Sequence, residues 1–360
     1  MSALAVPRVD DGAALLTALA RAIVALYRTE SSTMRLPYPA DVQRCFDRVV
    51  WDCLVNGQTP PGSVAELVVW CRDRPLGKWP VAFGDGLVSP SAVLVEHVSN
   101  TPTMACAELA SHGPAGTLEQ EARSAFDDCV ANCPQALRPV CRDLLLQYIV
   151  VDSSAFFAMN RNPQIAQAWD YVAKLYKPAP RGFVVNGKIS TCIECGMLAM
   201  PDVEPPLWCE RESCRRSLEY KLYEAATVKV LDYPLRAFIS KAGRTEFAVR
   251  QNLANRGFAV SPIESALGDH RVKGPNGVWT MRVQSRTEPA LHAAQIATAP
   301  GEAQRLLIVM AAEEIRARPH YAKAFRKALP VGFDVTLVSD RQLIRSLGLD
   351  ARASEGNRDA

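Results

Sequence analysis

Apolar positions recur at helical spacing through most of the first 178 residues. In the first such segment, Leu15, Leu19 and Ile23 fall on one face of a helix. Ser63 followed by Glu66 forms a capping box, which predicts a helix start at residue 64. Further helical patterns follow after Pro39 and over residues 64–71, 118–133, 137–151 and 164–176. The sequence therefore predicts a mainly helical N-terminal region, interrupted at 79–116, where Gly, Pro, Ser and Thr prevail.

The pattern changes after residue 178. Lys177-Pro178-Ala179-Pro180 is typical of a linker, and residues 182–190 predict a hairpin with Asn186-Gly187 as its turn. From residue 243 onwards, helical and strand patterns alternate. The order is a helix from 243 to 257, strands at 258–261, 270–272 and 278–283, a helix at 288–299, a strand at 305–309, a helix at 320–329, a strand at 333–338 and a helix at 340–347. This order predicts an α/β sandwich around a mixed sheet.

Together these patterns predict a multidomain α+β protein of 360 residues. The expected parts are a helical domain at 1–178, a zinc-ribbon segment at 179–235, an α/β domain at 236–348 and a flexible tail at 349–360.

No apolar run reaches the roughly 18–20 residues that a membrane helix needs, so no membrane contact is expected. The N-terminus has no signal-peptide pattern, so a cytoplasmic location is expected.

The charge is distributed unevenly between these parts. The whole chain carries a net charge of +3, which alone does not indicate a nucleic-acid partner. From Arg236 to the C-terminus there are 19 Lys and Arg against 12 Asp and Glu, a net charge of +7, whereas the preceding residues sum to −4. The basic C-terminal part is compatible with a phosphate-binding surface or with an ordinary solvated surface.

Four of the 11 cysteines have the spacing of a structural zinc site. Cys192, Cys195, Cys209 and Cys214 follow the pattern C-x2-C-x13-C-x4-C. Four thiolates complete a tetrahedral site and leave no position for a reactive water, so the predicted zinc is structural. Free thiols and a redox pair are the alternatives, although the strand and helix that flank a redox C-x-x-C are absent here. The other seven cysteines, among them Cys129 and Cys133 at helical spacing, are expected to be buried thiols.

The element order of the C-terminal part also belongs to the PD-(D/E)xK nucleases, so a nuclease-like domain is expected at 236–348. Their chemistry needs a helix acid, an Asp on a strand and an acid-x-Lys on the next strand, which together hold Mg²⁺ and a water. Glu246 fits the helix acid and Asp269 the strand Asp, but Arg282 falls at the acid position and Gln284 at the Lys position. An Arg repels a metal ion, so cleavage is doubtful, and Mg²⁺ is expected only if the domain is active. Alternatively, Glu246 and Asp269 are ordinary surface acids.

These segments resemble the restriction-endonuclease-like protein encoded beside prokaryotic PIWI-RE proteins and a DNA helicase. The resemblance runs to about residue 348, and several segments carry it. They are Arg35-Leu-Pro-Tyr-Pro39, 63–71, Pro75-Leu76, Trp79-Pro80, Thr191-Cys-Ile-Glu-Cys195, Trp208-Cys209, Cys214-Arg-Arg216, Gly243-Arg-Thr-Glu246, Asp269-His-Arg-Val272 and Trp279. The resemblance implies a restriction-endonuclease-like fold, a PIWI-type protein and a helicase as partners, and a role in defence against phage or plasmid DNA.

The sequence leaves two main hypotheses and a weaker third. The first is a nuclease-fold subunit of this defence system that contacts DNA or a DNA/RNA hybrid through an altered catalytic centre. The second is a non-catalytic DNA-binding or scaffolding subunit, and the third is a transcription regulator built on the zinc ribbon, for which no recognition helix stands out. The candidate DNA contacts are Arg215, Arg216, Arg244, Arg271, Lys273 and Arg282.

Overall fold

The fold is that of a computed structural model of the full chain. The residues it describes are 11–29, 38–81, 83, 86–200, 208–212, 214, 219–263, 268–274, 277–298 and 306–347. The predicted tail at 349–360 and the candidate DNA contacts Arg215 and Arg216 lie outside these residues.

The N-terminal region is helical, as predicted. Its helices are α1 (Asp11–Thr29), α2 (Ala40–Val55), α3 (Val64–Asp73), α4 (Met104–Ala110), α5 (Leu118–Val130), α6 (Arg138–Gln147), α7 (Ser153–Asn160) and α8 (Pro163–Val172). The predicted start of α3 and its N-cap are confirmed, because the Glu66 N–H donates to Ser63 Oγ over 3.1 Å. The second bond of the capping box is shifted by one residue, since the Glu66 carboxylate accepts from the Gly62 N–H over 2.8 Å. The seven cysteines outside the C-x2-C pattern are all buried thiols, also as predicted.

Helix α4 lies within residues 79–116, where the sequence shows no helical period. All seven of its residues are buried, including Glu108. A helix that is enclosed on every side has no polar face, so it lacks the alternation that reveals a surface helix. It packs closely along α1, and this places α4 at the centre of the N-terminal core.

Two small antiparallel sheets follow the helices. The first joins β1 (Val150–Val151), β7 (Lys229–Leu231) and β2 (Tyr176–Pro178) in that order. The predicted helix at 137–151 is therefore wrong at its end, because β-branched Val150 and Val151 pair with β7 instead. The predicted linker at 177–180 begins inside β2, which pairs with the same strand.

The second sheet carries the C-x2-C motif. Its order is β5 (Trp208–Cys209), β4 (Leu198–Met200), β3 (Lys188–Cys192) and β6 (Tyr220–Glu224). The predicted turn is confirmed, since Asn186 and Gly187 both have positive φ (50° and 76°) and Val185 bridges to Lys188. Before the turn, the chain pairs with β3 only through this bridge, so the hairpin is shorter than predicted.

The C-terminal part is a five-stranded mixed sheet with helices on both faces. Its elements are α9 (Tyr233–Phe238), α10 (Gly243–Asn255), β8 (Ala259–Pro262), β9 (Asp269–Gly274), β10 (Gly277–Val283), α11 (Pro289–Thr298), β11 (Leu306–Met310), α12 (Ala312–Ala317), α13 (Tyr321–Ala328), β12 (Val335–Ser339) and α14 (Leu343–Ser346). Strands β8, β9 and β10 form an antiparallel meander, and β11 and β12 extend it in parallel with β10. The predicted mixed sheet is confirmed, but the short helices α9 and α12 were not predicted.

Candidate metal centre and acid site

The four predicted cysteines converge at one end of the second sheet. Cys192 ends β3, Cys195 lies in the tight turn that follows, Cys209 ends β5 and Cys214 comes five residues later. Gly196 has a φ of 75° in that turn, where its N–H donates to the Cys192 carbonyl over 2.8 Å. Hairpin geometry thus brings the first pair together, and β5 brings the second pair to it.

The geometry of the thiols fits a single ion. All four Sγ atoms lie within 4.8 Å of one another, with 3.2 Å between Cys195 and Cys209 and 3.6 Å between Cys192 and Cys214. Four sulfurs at about 2.3 Å from a tetrahedral Zn²⁺ lie about 3.8 Å apart. Three of the cysteines are buried and Cys214 is half-buried, so the ion would be largely shielded from solvent. In the described part of the chain, no other group of three Cys, His, Asp or Glu residues converges in this way.

We expect the purified protein to contain about one zinc ion per chain, since a four-thiolate site binds Zn²⁺ tightly. Cys209→Ser should remove that zinc, because it takes away one of the four thiolates. Metal analysis by mass spectrometry measures both. Cys45→Ala, at a buried thiol in α2, should leave the zinc content unchanged, and an unchanged zinc content in Cys209→Ser would contradict the assignment.

The strand acid of the predicted nuclease site is held by an arginine. Asp269 opens β9 and lies directly opposite Arg282 of β10 in the antiparallel register. Arg282 donates from Nε to Asp269 Oδ1 over 2.6 Å and from Nη2 to Oδ2 over 2.8 Å. Both side chains are buried, with exposed fractions of 8% and 3%. Both carboxylate oxygens of Asp269 therefore face a guanidinium.

The helix acid is held by a second arginine, which comes from the N-terminal region. Glu246 of α10 is completely buried, and Arg142 of α6 binds both its oxygens, with Nη2 2.8 Å from Oε2. His270 Nε2 lies 2.9 Å from Oε1. Burial alone would raise the pKa of Glu246, but Arg142 and His270 outweigh it and lower that pKa to about 2.

Gln284, at the expected Lys position, joins a separate buried network. His292 Nε2 lies 2.8 Å from Gln284 Oε1, and His292 Nδ1 lies 3.0 Å from the Tyr321 hydroxyl. Burial, with Arg286 and Arg282 nearby, lowers the pKa of His292 well below its usual value, so the imidazole is neutral. A neutral ring donates from Nε2 to Gln284 and accepts from Tyr321, which satisfies both of its nitrogens.

Three of the four remaining candidate DNA contacts lie on the surface. Arg244 is exposed on α10, and Arg271 and Lys273 are exposed on one face of β9, whereas Arg282 is buried.

Sequence reasoning missed a further basic surface on α13. Its Tyr321 and Phe325 point into the core, and the exposed side carries Lys323, Arg326 and Lys327. The alternation of apolar and basic residues in Tyr-Ala-Lys-Ala-Phe-Arg-Lys would have revealed it.

The N-terminal helices make further buried contacts with the C-terminal part. Glu108 of α4 accepts hydrogen bonds from the backbone N–H groups of Thr287 (2.7 Å) and Glu288 (2.9 Å), just before α11. Glu119 of α5 binds Arg286 over 2.8 Å. Burial would raise the pKa of Glu119, but Arg286 and Arg123 lower it. Carboxylates of α4 and α5 thus fix the segment that follows β10.

A family model described as "pPIWI_RE three-gene island domain Y" matches residues 15–152. The match runs from within α1 to just after β1 and includes Glu108, Glu119 and Arg142. No curated protein and no solved structure matches the chain. In the described residues, no helix has the length and apolar character needed to cross a membrane. The match associates this chain with the PIWI-RE three-gene islands, as its resemblance implied.

Proposed function

We propose that this chain is a non-cleaving, restriction-endonuclease-like subunit of a PIWI-RE three-gene-island defence system. In this proposal the C-terminal domain contacts DNA and serves as a scaffold for the helical region. One observation carries the proposal: the two carboxylates that a nuclease of this class would use for Mg²⁺ are both buried against arginines.

The topology supports the nuclease-like part of the proposal. Helix α10 is followed by the antiparallel meander β8–β9–β10, then by α11, then by β11 in parallel with β10. This is the order that the resemblance implies. Asp269 opens the middle strand of the meander and Glu246 lies on the preceding helix, which are the positions expected of the acids.

The charges support the loss of cleavage. Mg²⁺ requires oxygen ligands at about 2.0–2.1 Å in near-octahedral geometry. Arg282 binds both oxygens of Asp269 and places a positive charge where the ion would lie. To admit the ion, Arg282 would have to leave a partner inside the protein, and an unpaired buried charge costs several kcal/mol.

Burial supports the same conclusion. Arg142 reaches Glu246 from α6, so the helical region covers this acid and leaves it with no exposed surface. Glu119 and Glu108 hold the same two parts together nearby. A phosphodiester could reach Glu246 only if the helical region moved away.

The exposed basic residues support contact with DNA. Arg271 and Lys273 on β9, with Lys323, Arg326 and Lys327 on α13, make no ion pair in the described structure, so their charges are available to phosphates.

The matched N-terminal region supports docking of the PIWI-type protein or the helicase. It exposes large apolar side chains at the end of α2, namely Trp51, Leu54 and Val55.

A cleavage assay tests the proposal. The purified chain, alone and with the other two island proteins, is incubated with plasmid and single-stranded DNA and Mg²⁺ or Mn²⁺. We expect no cleavage in any combination. Metal-dependent cleavage that is lost in Asp269→Asn, but kept in the exposed control Asp73→Asn, would overturn the proposal.

DNA binding is measured separately by fluorescence anisotropy over a range of salt concentrations. Each phosphate contact adds about 0.9 to the slope of log K against log salt. We expect Arg326→Gln/Lys327→Gln to weaken binding and to reduce this slope by about 2. The charge-matched control Arg161→Gln/Lys229→Gln, at exposed positions outside the C-terminal domain, should leave the slope unchanged. Absence of DNA binding would remove this part of the proposal.

A further inference from the structure

The loop between the third and fourth cysteines makes contacts that a simple zinc knuckle does not need. It runs Cys209-Glu210-Arg211-Glu212-Ser213-Cys214, with four residues between the ligands where a compact knuckle often has two. Its three consecutive charged side chains contact three different parts of the molecule.

Glu210 binds α9. Its carboxylate accepts from Arg236 Nε over 3.1 and 3.2 Å and from Arg236 Nη2 over 3.0 Å. Arg236 is almost completely buried, and its Nη1 also donates to the Leu231 carbonyl of β7 over 2.6 Å. Burial would lower the pKa of Arg236, but Glu210 outweighs it and raises that pKa, so the guanidinium stays charged.

Arg211 binds the C-terminal domain. Its Nε donates to Glu314 Oε1 of α12 over 3.1 Å, and its Nη2 donates to Thr245 Oγ1 of α10 over 3.2 Å. The Ser285 hydroxyl, just after β10, donates to the same oxygen of Glu314 over 2.7 Å. Arg211, Glu314 and Ser285 are all buried, so this contact lies inside the protein.

Glu212 binds the N-terminal region. Its Oε1 accepts a hydrogen bond from the Met104 N–H over 2.9 Å, at the first residue of the enclosed helix α4. Its Oε2 lies 3.4 Å from Arg318 Nη2 in the C-terminal domain. One carboxylate therefore caps a helix of the family-matched region and pairs with a residue after α12.

We propose that the metal bound by the four cysteines fixes this loop, so that the metal centre holds helix α4 of the N-terminal region together with α9, α10 and α12 of the C-terminal part. The inference rests on the metal site and is independent of DNA binding. Three adjacent side chains can face three directions only while the loop keeps its turned conformation. Cys209 and Cys214, at the two ends of the loop, hold that conformation when they bind one ion.

Buried contacts of this kind depend on position. A buried charge is stabilised only while its partner stays within hydrogen-bonding distance, and loss of one partner is strongly destabilising. If the loop relaxed, Arg236, Glu314 and the Met104 N–H would lose partners in three places together. The metal therefore acts on contacts well beyond its own four sulfurs.

Hydrogen exchange followed by mass spectrometry tests this without DNA or activity. The full chain is compared with and without zinc, which is removed by a chelator. We expect exchange in the first turn of α4 to rise about tenfold or more on zinc removal, because the Met104 N–H loses a charged acceptor. Exchange in α8 should remain unchanged, because in the described residues no hydrogen bond or ion pair joins α8 to Glu210, Arg211 or Glu212.

A matched pair of variants tests the same contact with the zinc in place. Glu212→Ala should keep the zinc and raise exchange at the start of α4 by about the same factor, because it removes the acceptor directly. Glu194→Ala is the control, because Glu194 is an exposed acid between the first two cysteines. The proposal would be overturned if zinc removal left the protection of α4 unchanged, or if it also removed the protection of α8. Equal exchange at the start of α4 in the two variants would overturn it as well.

Discussion

Replacement of Arg142 by methionine should lower the free energy of unfolding by about 3–5 kcal/mol at pH 7. The change removes the guanidinium that binds both oxygens of the fully buried Glu246 and leaves that carboxylate with His270 as its nearest partner. Methionine keeps much of the side-chain volume, so the loss reports on charge rather than on a cavity. Urea unfolding followed by circular dichroism measures it.

Arg28→Met is the control for this variant. Arg28 pairs with Glu121 over 2.6 Å, but the two side chains are 40% and 42% exposed. An exposed pair contributes at most about 1 kcal/mol, so a much smaller loss is expected. Equal losses in the two variants would show that burial of Glu246 does not govern the result.

The Arg142–Glu246 pair also predicts how the stability of the protein depends on pH. The pKa of Glu246 is lowered from 4.5 to about 2 in the folded protein. A lowered pKa means that its stabilising contribution is complete above pH 4.5 and is lost as the pH falls towards 2. The stability difference between the native sequence and Arg142→Met should therefore shrink over this range, and a difference that stays constant would contradict the assignment.

Arg282→Met should cost a similar amount, about 3–5 kcal/mol, because it leaves Asp269 buried without its partner. Asp269→Leu should cost a comparable amount by leaving Arg282 unpaired. The double variant should lose much less than the sum, since an apolar pair replaces an ion pair of similar volume. A double-mutant cycle from urea unfolding gives the coupling energy.

The ion pair and a metal site differ in their response to Mg²⁺. If Arg282 neutralises Asp269, millimolar Mg²⁺ should leave the melting temperature of the native sequence unchanged. If Mg²⁺ instead raised the melting temperature, and Asp269→Leu abolished that rise, the carboxylate would bind the ion. In the double-mutant cycle, additive losses of stability would show that Asp269 and Arg282 do not interact.

The local features of the fold were predictable from the sequence. The four cysteines lie within 23 residues, and their spacing predicted a convergence that the structure confirms; the identity of zinc stays a prediction. Alignment of the hairpin with the nuclease pattern put Arg282 at the acid position, and the strand register places it opposite Asp269.

The distant features were not predictable in this way. Arg142 and Glu246 are 104 residues apart, and nothing in the helical pattern of α6 distinguishes the buried Arg142 from a surface arginine. Helix α4 was missed because burial on all sides removed its period, and the loop 210–212 because its contacts depend on the tertiary arrangement. One sequence reveals local geometry, but not which distant charge will pair with which.

The distance along the chain between Arg142 and Glu246 also bears on how the protein is made. A ribosome adds about 5–20 residues each second, so Arg142 is synthesised about 5 to 20 s before its partner. Glu108 and Glu119 precede Thr287 and Arg286 by still more residues. During that interval the helical region holds charges without their native partners. Its final packing therefore has to wait for the C-terminal sheet, and we expect nascent chains to be most open to proteases and chaperones until the sheet has emerged.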